Sequence, residues 1–115
     1  MAYTYLFFKP ARLPLTPEEL SDATVRLLDD ASAAQAMLAR ALPAIEWGAD
    51  NIGRAQVDAG WVEFRLPTPG STLSMRCSLR ADYSADVQRL CDESGWLAFD
   101  EQPMWFQPGQ APMLA

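Results

Sequence analysis

The sequence predicts a single α+β domain over residues 1–115, with a mainly antiparallel sheet of about five or six strands and two or three helices on one face. Three observations predict it. The chain begins with a run of β-favouring aromatic residues, apolar residues then recur at helical spacing, and two later segments alternate between apolar and polar residues. The predicted order is one strand, one or two helices, three strands, one helix and two strands.

The first predicted strand is AYTYLFFK, residues 2–9, which contains neither glycine nor proline. Apolar residues occupy both of its alternating positions, so we expect it to be buried on both faces. A proline-rich loop follows. Thr16, Pro17 and Glu19 then have the spacing of an N-cap, a first-turn proline and a capping box, which predicts a helix that begins at Pro17.

Two arrangements fit the helical region between residues 17 and 42. In the first, a short helix ends before Asp29 and Asp30, because acids are unfavourable at a helix C-terminus, and a second helix begins at these acids. In the alternative, one long helix spans the whole region. In both, the helix ends before Pro43. The apolar stripe in the second half of this region consists of Ala34, Met37, Leu38, Ala41 and Leu42.

Three strands are predicted in the middle of the chain. The first is the short run AIEWG, residues 44–48, followed by a polar turn region, ADNIGRAQVDAG, residues 49–60. The second and third, residues 61–67 and 72–79, alternate and form an antiparallel pair with one face exposed to water. Residues 72–79 alternate most regularly. Their core-facing side chains are predicted to be Leu73, Met75, Cys77 and Leu79.

A helix and two strands are predicted near the C-terminus. Ser84 suits an N-cap and Gly95 suits the C′ position, so a helix is expected over residues 85–94. Its apolar stripe is Val87, Leu90 and Cys91. The run WLAFD, residues 96–100, is the next strand. The run PMWFQP, residues 103–108, is predicted to be an edge strand because prolines bracket it.

The composition argues against most catalytic chemistries. The chain has no histidine, so the commonest general base and a main transition-metal ligand are missing. Cys77 and Cys91 match no zinc or redox spacing, and the chain has no glycine-rich phosphate loop. We therefore predict no catalytic residue, no metal and no cofactor. A small carboxylate-dependent enzyme with a site around Asp100 is the least favoured alternative.

The chain is predicted to be cytoplasmic. Its first residues lack the basic region and the cleavage site of a signal peptide, and no stretch approaches the roughly 20 apolar residues of a membrane span. Both thiols are then expected to stay reduced. The net charge of −6 argues against nucleic-acid binding, which needs a basic surface.

The acidic C-terminal segment is the predicted partner-binding surface. Six acids and one arginine lie between residues 82 and 101, a local charge of −5, which favours a basic protein partner. Two aromatic residues follow, and exposed aromatic residues are enriched in binding hot spots. The alternative is that the tail folds back and buries them. The predicted partner-binding residues are Asp92, Glu93, Asp100, Glu101, Trp105 and Phe106.

Both ends of the chain carry a framework resemblance. The matching residues are Tyr5, Leu6, Phe7, Pro10, Gly95, Trp96, Ala98, Phe99, Asp100 and Gln102. In these residues the chain resembles small bacterial cytoplasmic proteins of unknown function, some of which resemble immunity proteins of secreted toxins. The resemblance implies an α+β fold and a non-enzymatic, immunity-type or antitoxin-type inhibitor of a toxin or effector. A homodimer that pairs sheet edges and serves as a structural or small-ligand-binding module is the alternative.

Overall fold

The computed structural model describes residues 2–102 and 104–114. The predicted α+β class is confirmed: the described residues form one antiparallel sheet and two α-helices. The sheet has nine strands, more than predicted. The elements in chain order are β1 (Ala2–Pro10), β2 (Val25–Leu27), α1 (Ala31–Ala41), β3 (Glu46–Trp47), β4 (Ile52–Val57), β5 (Gly60–Arg65), β6 (Ser74–Ser78), α2 (Ser84–Ser94), β7 (Leu97–Phe99), β8 (Met104–Phe106) and β9 (Met113–Leu114).

The first strand lies in the middle of the sheet. The strand order is β3-β4-β5-β6-β1-β7-β8-β9, and β2 also pairs with β1. Along one edge, β1 pairs first with β6 and then, from Phe8 to Pro10, with β2. Along the other edge it pairs with β7 from Leu6 to Phe8. Strands that are distant in the sequence therefore meet on β1.

The larger core lies on the sheet face that both helices cover, which we call the helix face. Phe7 and Phe64 pack there against Ala34 and Leu38 of α1 and against α2. As predicted, the core-facing side chains of the alternating segment are buried: Leu73, Met75 and Cys77. The same prediction is wrong for Leu79, which is 48% exposed because β6 ends at Ser78.

The opposite face, which we call the outer face, is only partly covered. A smaller cluster of Leu15, Leu97 and Trp105 lies there under the segment that joins β1 to β2. Because that segment covers only one end of the face, Leu6 of β1 remains 40% exposed. The prediction that β1 is buried on both faces is therefore wrong at this position.

The helix predicted to begin at Pro17 is a single 3-10 turn, Pro17–Glu19. The capping box does form, since the amide of Thr16 donates to Glu19 Oε1 at 2.8 Å. Beyond it, the Thr24 hydroxyl donates to the Glu19 carbonyl at 2.6 Å and accepts the Ser21 amide at 3.0 Å. These side chain–backbone bonds compete with helical ones, and a strand follows. Neither arrangement of the first helix is correct.

The second helix and its start match the prediction. Asp30 is the N-cap of α1, and its side chain accepts the Ala33 amide at 3.1 Å. The helix buries Ala34 and Leu38, and Leu42 is its C-cap, directly before Pro43.

The polar region predicted as a turn contains β4, so that prediction is wrong. Gly53 lies inside this strand, although a glycine in a strand interior usually weakens it. In the fold it is the cross-strand partner of Trp47. A Cβ at Gly53 would come within 2.7 Å of the Trp47 ring, so the glycine makes room for that ring inside a continuous strand.

The C-terminal helix is as predicted, but the tail is not an edge. The predicted apolar stripe of α2 is buried, and Gly95 ends the helix in the left-handed conformation with φ 79°. The N-cap is Tyr83 rather than Ser84. Because β9 pairs with β8, β8 lies inside the sheet. The proposed role of Pro103 lies outside the described residues.

Candidate functional site

The predicted acidic site is divided between two places. Asp92 and Glu93 lie in the last turn of α2, and Asp100 and Glu101 lie in the turn between β7 and β8. No hydrogen bond joins the two pairs within the described part of the chain. The structure therefore does not assemble these four carboxylates into one cluster.

Asp100 and Glu101 hold the end of the sheet together. Glu101 accepts the backbone amide of Thr4 at 2.6 Å, beyond the point where β7 stops pairing with β1. Asp100 accepts the Met104 amide at 3.2 Å. Burial, and next a hydrogen bond to Asp100, raise the pKa of Tyr3.

The other acids of the segment have similar roles. Asp92 accepts the Gly109 amide at 2.8 Å and fixes the loop after β8. Asp86 accepts the amides of Asp58 and Ala59, at 3.3 and 3.1 Å, in the turn between β4 and β5. Asp82 accepts the Ser84 amide at 2.9 Å, at the start of α2. Five of the six acids thus accept a backbone N–H, and these bonds give the acidity of the segment a structural explanation.

Glu93 is the sixth acid of the segment, and it accepts no hydrogen bond from the described residues. It lines a small pocket of about 260 Å³ together with Met37, Arg40 and Ala41 of α1. Glu93 is therefore the predicted site residue whose charge stays on the surface without a structural role.

Trp105 and Phe106 are buried, which corrects the expectation of an exposed aromatic edge. Trp105 is 0% exposed and stacks on Phe99 of the outer face, with ring centroids 6.0 Å apart. Phe106 is 1% exposed and lies edge-to-face with Tyr5 on the helix face. The tail folds back onto the sheet, so these two residues belong to the core and present no contact surface.

Gln107 is a structural residue that the sequence reasoning missed. It is 1% exposed, and its side chain clamps Leu15. Its Oε1 accepts the Leu15 amide at 2.8 Å, and its Nε2 donates to the Leu15 carbonyl at 2.7 Å. Gln88 Nε2 donates to the Gln107 carbonyl at 2.7 Å. One polar residue directly after the buried aromatics of β8 was the only signal for this clamp.

The exposed apolar side chains around β1 and β2 form a candidate binding surface. A groove of about 1000 Å³ lies on the outer face, and we call it the outer groove. Leu6 and Leu27, 40% and 42% exposed, line it with the half-buried Phe8 and Phe99. Its charged lining residues are Lys9, Asp22, Arg26 and Asp29.

A second cavity, of about 510 Å³, lies on the helix face beside the start of α1, and we call it the α1 cavity. Its walls are largely apolar and include Leu28, Ala34 and Trp96, which are buried core residues. Lys9 and Asp29 line both this cavity and the outer groove.

Metal and thiol chemistry find no support in the described residues. Among them, no group of three or more acidic or cysteine side chains is arranged to hold a metal ion. Cys77 and Cys91 are both free and buried. Burial raises the pKa of the Cys77 thiol to about 11 and that of Cys91 to about 12, which makes both poor nucleophiles at neutral pH.

Neither helix within the described ranges has the length and apolarity needed to cross a membrane. No protein-family model matches the chain, and searches of curated proteins and of solved structures found no match either.

Proposed function

We propose that this chain is a non-enzymatic protein that binds another protein through the outer groove. The observation that carries the proposal is the exposure of Leu6 beside Phe8 and Phe99 on a sheet face that the helices leave open. Contiguous exposed apolar surface in a folded domain is typical of interaction sites, because leaving it in water is unfavourable. A partner that covers this groove removes that surface from water.

The charge of the molecule favours a basic partner. The net charge is −6, and such a field speeds the approach of a cationic protein. The lining of the groove is balanced, with Asp22 and Asp29 against Lys9 and Arg26, so the attraction comes from the charge of the whole molecule. The resemblance at both chain ends supports the more specific proposal that the partner is a basic toxin or effector and that the chain neutralises it in the cytoplasm.

The residues to which we assign the apolar contact with the partner differ from those predicted from the sequence. Trp105 and Phe106 are core residues, so we assign the apolar contact to Leu6 and Phe99 instead. Of the predicted acids, only Glu93 accepts no backbone amide in the described residues, so charge reversal at the others would also disturb the fold. Asp22 is the better test of steering, because it is exposed and lines the groove.

The test compares Leu6→Asp with Leu79→Asp. Leu79 is 48% exposed and lies outside the outer groove, so it is the matched control. Tagged parent and variants are used to recover partners from the native cells, and the recovered partner is then purified and titrated by calorimetry. We expect Leu6→Asp to weaken binding at least tenfold, and Leu79→Asp to leave it within twofold. Equal binding by the two variants, both of them folded, would refute the groove as the contact surface.

Electrostatic attraction of the partner is tested with the variant Asp22→Lys. Its association rate is measured by stopped flow at low and at high salt. We expect slower association at low salt and little change in the dissociation rate, because a rim charge acts mainly on the encounter. Faster association of this variant would show that the partner is acidic and would contradict the proposal.

The edge-pairing homodimer has less support. The outermost strands of the described sheet, β3 and β9, have two residues each, and such short strands offer few free backbone groups. The carboxylate-dependent enzyme has less still, because Asp100 already accepts the Met104 amide.

A further inference from the structure

The α1 cavity has the size and composition of a small-molecule site. Its volume of about 510 Å³ falls within the range of typical ligand pockets, roughly 300 to 1,000 Å³. Its floor is rigid, because Leu28, Ala34 and Trp96 are 8%, 1% and 7% exposed and belong to the main core. Apolar walls with a few charged groups at the rim are the usual construction of a ligand site.

Two cations and two anions line this cavity, and one of each already has a partner. Arg12 forms an ion pair with Glu19. Asp30 caps α1 by accepting the Ala33 amide, and its charge compensates the positive end of the helix dipole. The helix N-terminus is therefore not an open anion site.

The remaining pair is Lys9, the only lysine in the chain, and Asp29. Within residues 2–102 and 104–114, neither side chain makes an ion pair or a hydrogen bond, with the other or with any further group. The cavity thus presents one available positive charge and one available negative charge above an apolar floor.

We propose that the α1 cavity binds a small zwitterion with an apolar body, such as a free amino acid with a large apolar side chain or a short apolar peptide. The carboxylate of the ligand pairs with the Lys9 ammonium, and its ammonium group pairs with Asp29. The apolar body packs on Leu28, Met37 and Trp96. This site goes beyond the proposed protein contact, because it faces the helices and has its own floor.

The charge pattern selects this class of ligand over simpler ones. A plain carboxylic acid would satisfy Lys9 but bring a negative charge towards Asp29, and a plain amine would do the reverse. A neutral apolar molecule would pair with neither group, and both are exposed to water without it. Only a ligand with both charges satisfies Lys9 and Asp29 together.

The experiment titrates phenylalanine and the dipeptide of two leucines into the parent protein and follows backbone amide shifts by NMR. N-acetyl-phenylalanine lacks the ammonium group, and phenylalanine amide lacks the carboxylate. At about 10 mM ligand, which detects millimolar dissociation constants, we expect a zwitterion to shift the amides of residues 28–37 and Trp96. Each blocked analogue should bind about tenfold more weakly, since it loses one charge-assisted pair. The two zwitterions distinguish a free amino acid from a peptide as the preferred source.

Two variants, each of which removes one charge of the cavity, show which group of the ligand pairs with Lys9 and which with Asp29. In Lys9→Met, phenylalanine and its amide should bind equally, because the carboxylate has lost its partner. In Asp29→Asn, phenylalanine and N-acetyl-phenylalanine should bind equally. If the parent itself fails to distinguish these three ligands, or if no zwitterion shifts the amides around the cavity, the proposal is wrong.

Two tryptophan variants of α1, one inside the cavity lining and one outside it, test where the ligand binds. Ala33 lines the cavity and is exposed, so Ala33→Trp should fill the entrance and abolish the shifts. Ala36 is exposed on the same helix but lies outside the lining, so Ala36→Trp should bind like the parent. Equal binding by both variants would place the ligand elsewhere. Leu6→Asp, which tests the outer groove, should leave zwitterion binding intact, so the two proposals can fail separately.

Discussion

At the scale of single residues, Gln107 is a buried polar group that joins two distant parts of the chain. Its amide bonds both backbone groups of Leu15, 92 positions away. Replacing it with alanine leaves a buried N–H and a buried carbonyl without partners, and each such group costs about 1–3 kcal/mol. We therefore expect Gln107→Ala to lower the free energy of unfolding by about 2–4 kcal/mol, measured by urea denaturation.

The matched control is Gln110→Ala. Gln110 is exposed and its side chain makes no hydrogen bond within the described ranges. We expect a change within about 0.5 kcal/mol, as for most surface substitutions. Similar urea midpoints for the two variants would show that water satisfies Leu15 and that the clamp contributes little.

Also at the residue scale, carboxylates that accept hydrogen bonds make the stability depend on pH. The Arg12 guanidinium, and next the Thr16 amide, lower the pKa of Glu19 from 4.5 to about 2. A carboxyl with a lowered pKa in the folded state stabilises the fold above the unfolded pKa, and this contribution disappears as the pH falls through the folded pKa. Hydrogen bonds to Ser84 shift the pKa of Asp82 in the same direction.

We therefore expect the free energy of unfolding to fall as the pH is lowered from 4.5 towards 2. The variant Glu19→Gln should be less stable than the parent at neutral pH and should have a shallower decline in this window. Glu18→Gln is the control, because Glu18 is exposed and forms no ion pair in the described residues. A Glu19→Gln profile parallel to that of the parent would contradict the shift.

At the scale of elements, β8 is a core strand although it lies close to the end of the chain. Trp105 is 0% exposed, so Trp105→Ala should cost about 3–5 kcal/mol of stability. Trp61 is 39% exposed on β5, and Trp61→Ala should cost much less. Chemical denaturation of both variants is the measurement, and equal costs would contradict the assignment of β8 to the core.

A third substitution separates the ring from its polar atom. The indole Nε1 of Trp105 is buried and has no hydrogen-bond partner among the residues that the structure describes. Trp105→Phe removes this unsatisfied donor and keeps an aromatic ring, so part of the lost packing energy is recovered. We expect Trp105→Phe to be clearly more stable than Trp105→Ala.

The elements that the sequence predicted well are those with a clear period and local end signals. Residues 72–79 alternate without interruption, and α1 and α2 have an acid or a glycine at one end. The helix predicted to begin at Pro17 failed for a local reason. The helix expected at Pro17 had a correct start, but Ser21 and Thr24 form bonds with nearby backbone that end it after one turn.

The short strands were missed because their stability comes from partners elsewhere in the chain. Two of them, β2 and β9, have three and two residues, too few for a period, and exist because β1 and β8 pair with them. The acids were misread for the same reason. Glu101 bonds an amide 97 positions away, and no local pattern reveals such a partner.

At the scale of the whole molecule, the two thiols report on global unfolding. Cys77 and Cys91 are each 0% exposed, and their raised pKa values leave almost no thiolate at neutral pH. A thiol reagent should therefore label both residues slowly in the native protein and quickly in denaturant. Because they lie in one core, we expect both to react at the same rate, which is set by opening of that core.

Ser32→Cys supplies the internal standard for this experiment. Ser32 is exposed on α1, so its thiol should react quickly in the folded protein. Mass spectrometry after timed labelling separates the three sites. Rapid labelling of Cys91 alone would show that α2 opens independently of the sheet.

The central position of β1 has a consequence for how the protein is made. During synthesis, β1 leaves the ribosome before β6 (Ser74–Ser78) and β7 (Leu97–Phe99), the strands that flank it along most of its length. Until those residues emerge, an aromatic strand with unpaired edges waits in the nascent chain, where it is able to pair with other chains. The sheet therefore cannot form around β1 until residues 97–99 have left the ribosome, and we expect a chaperone that binds the nascent chain early to raise the soluble yield.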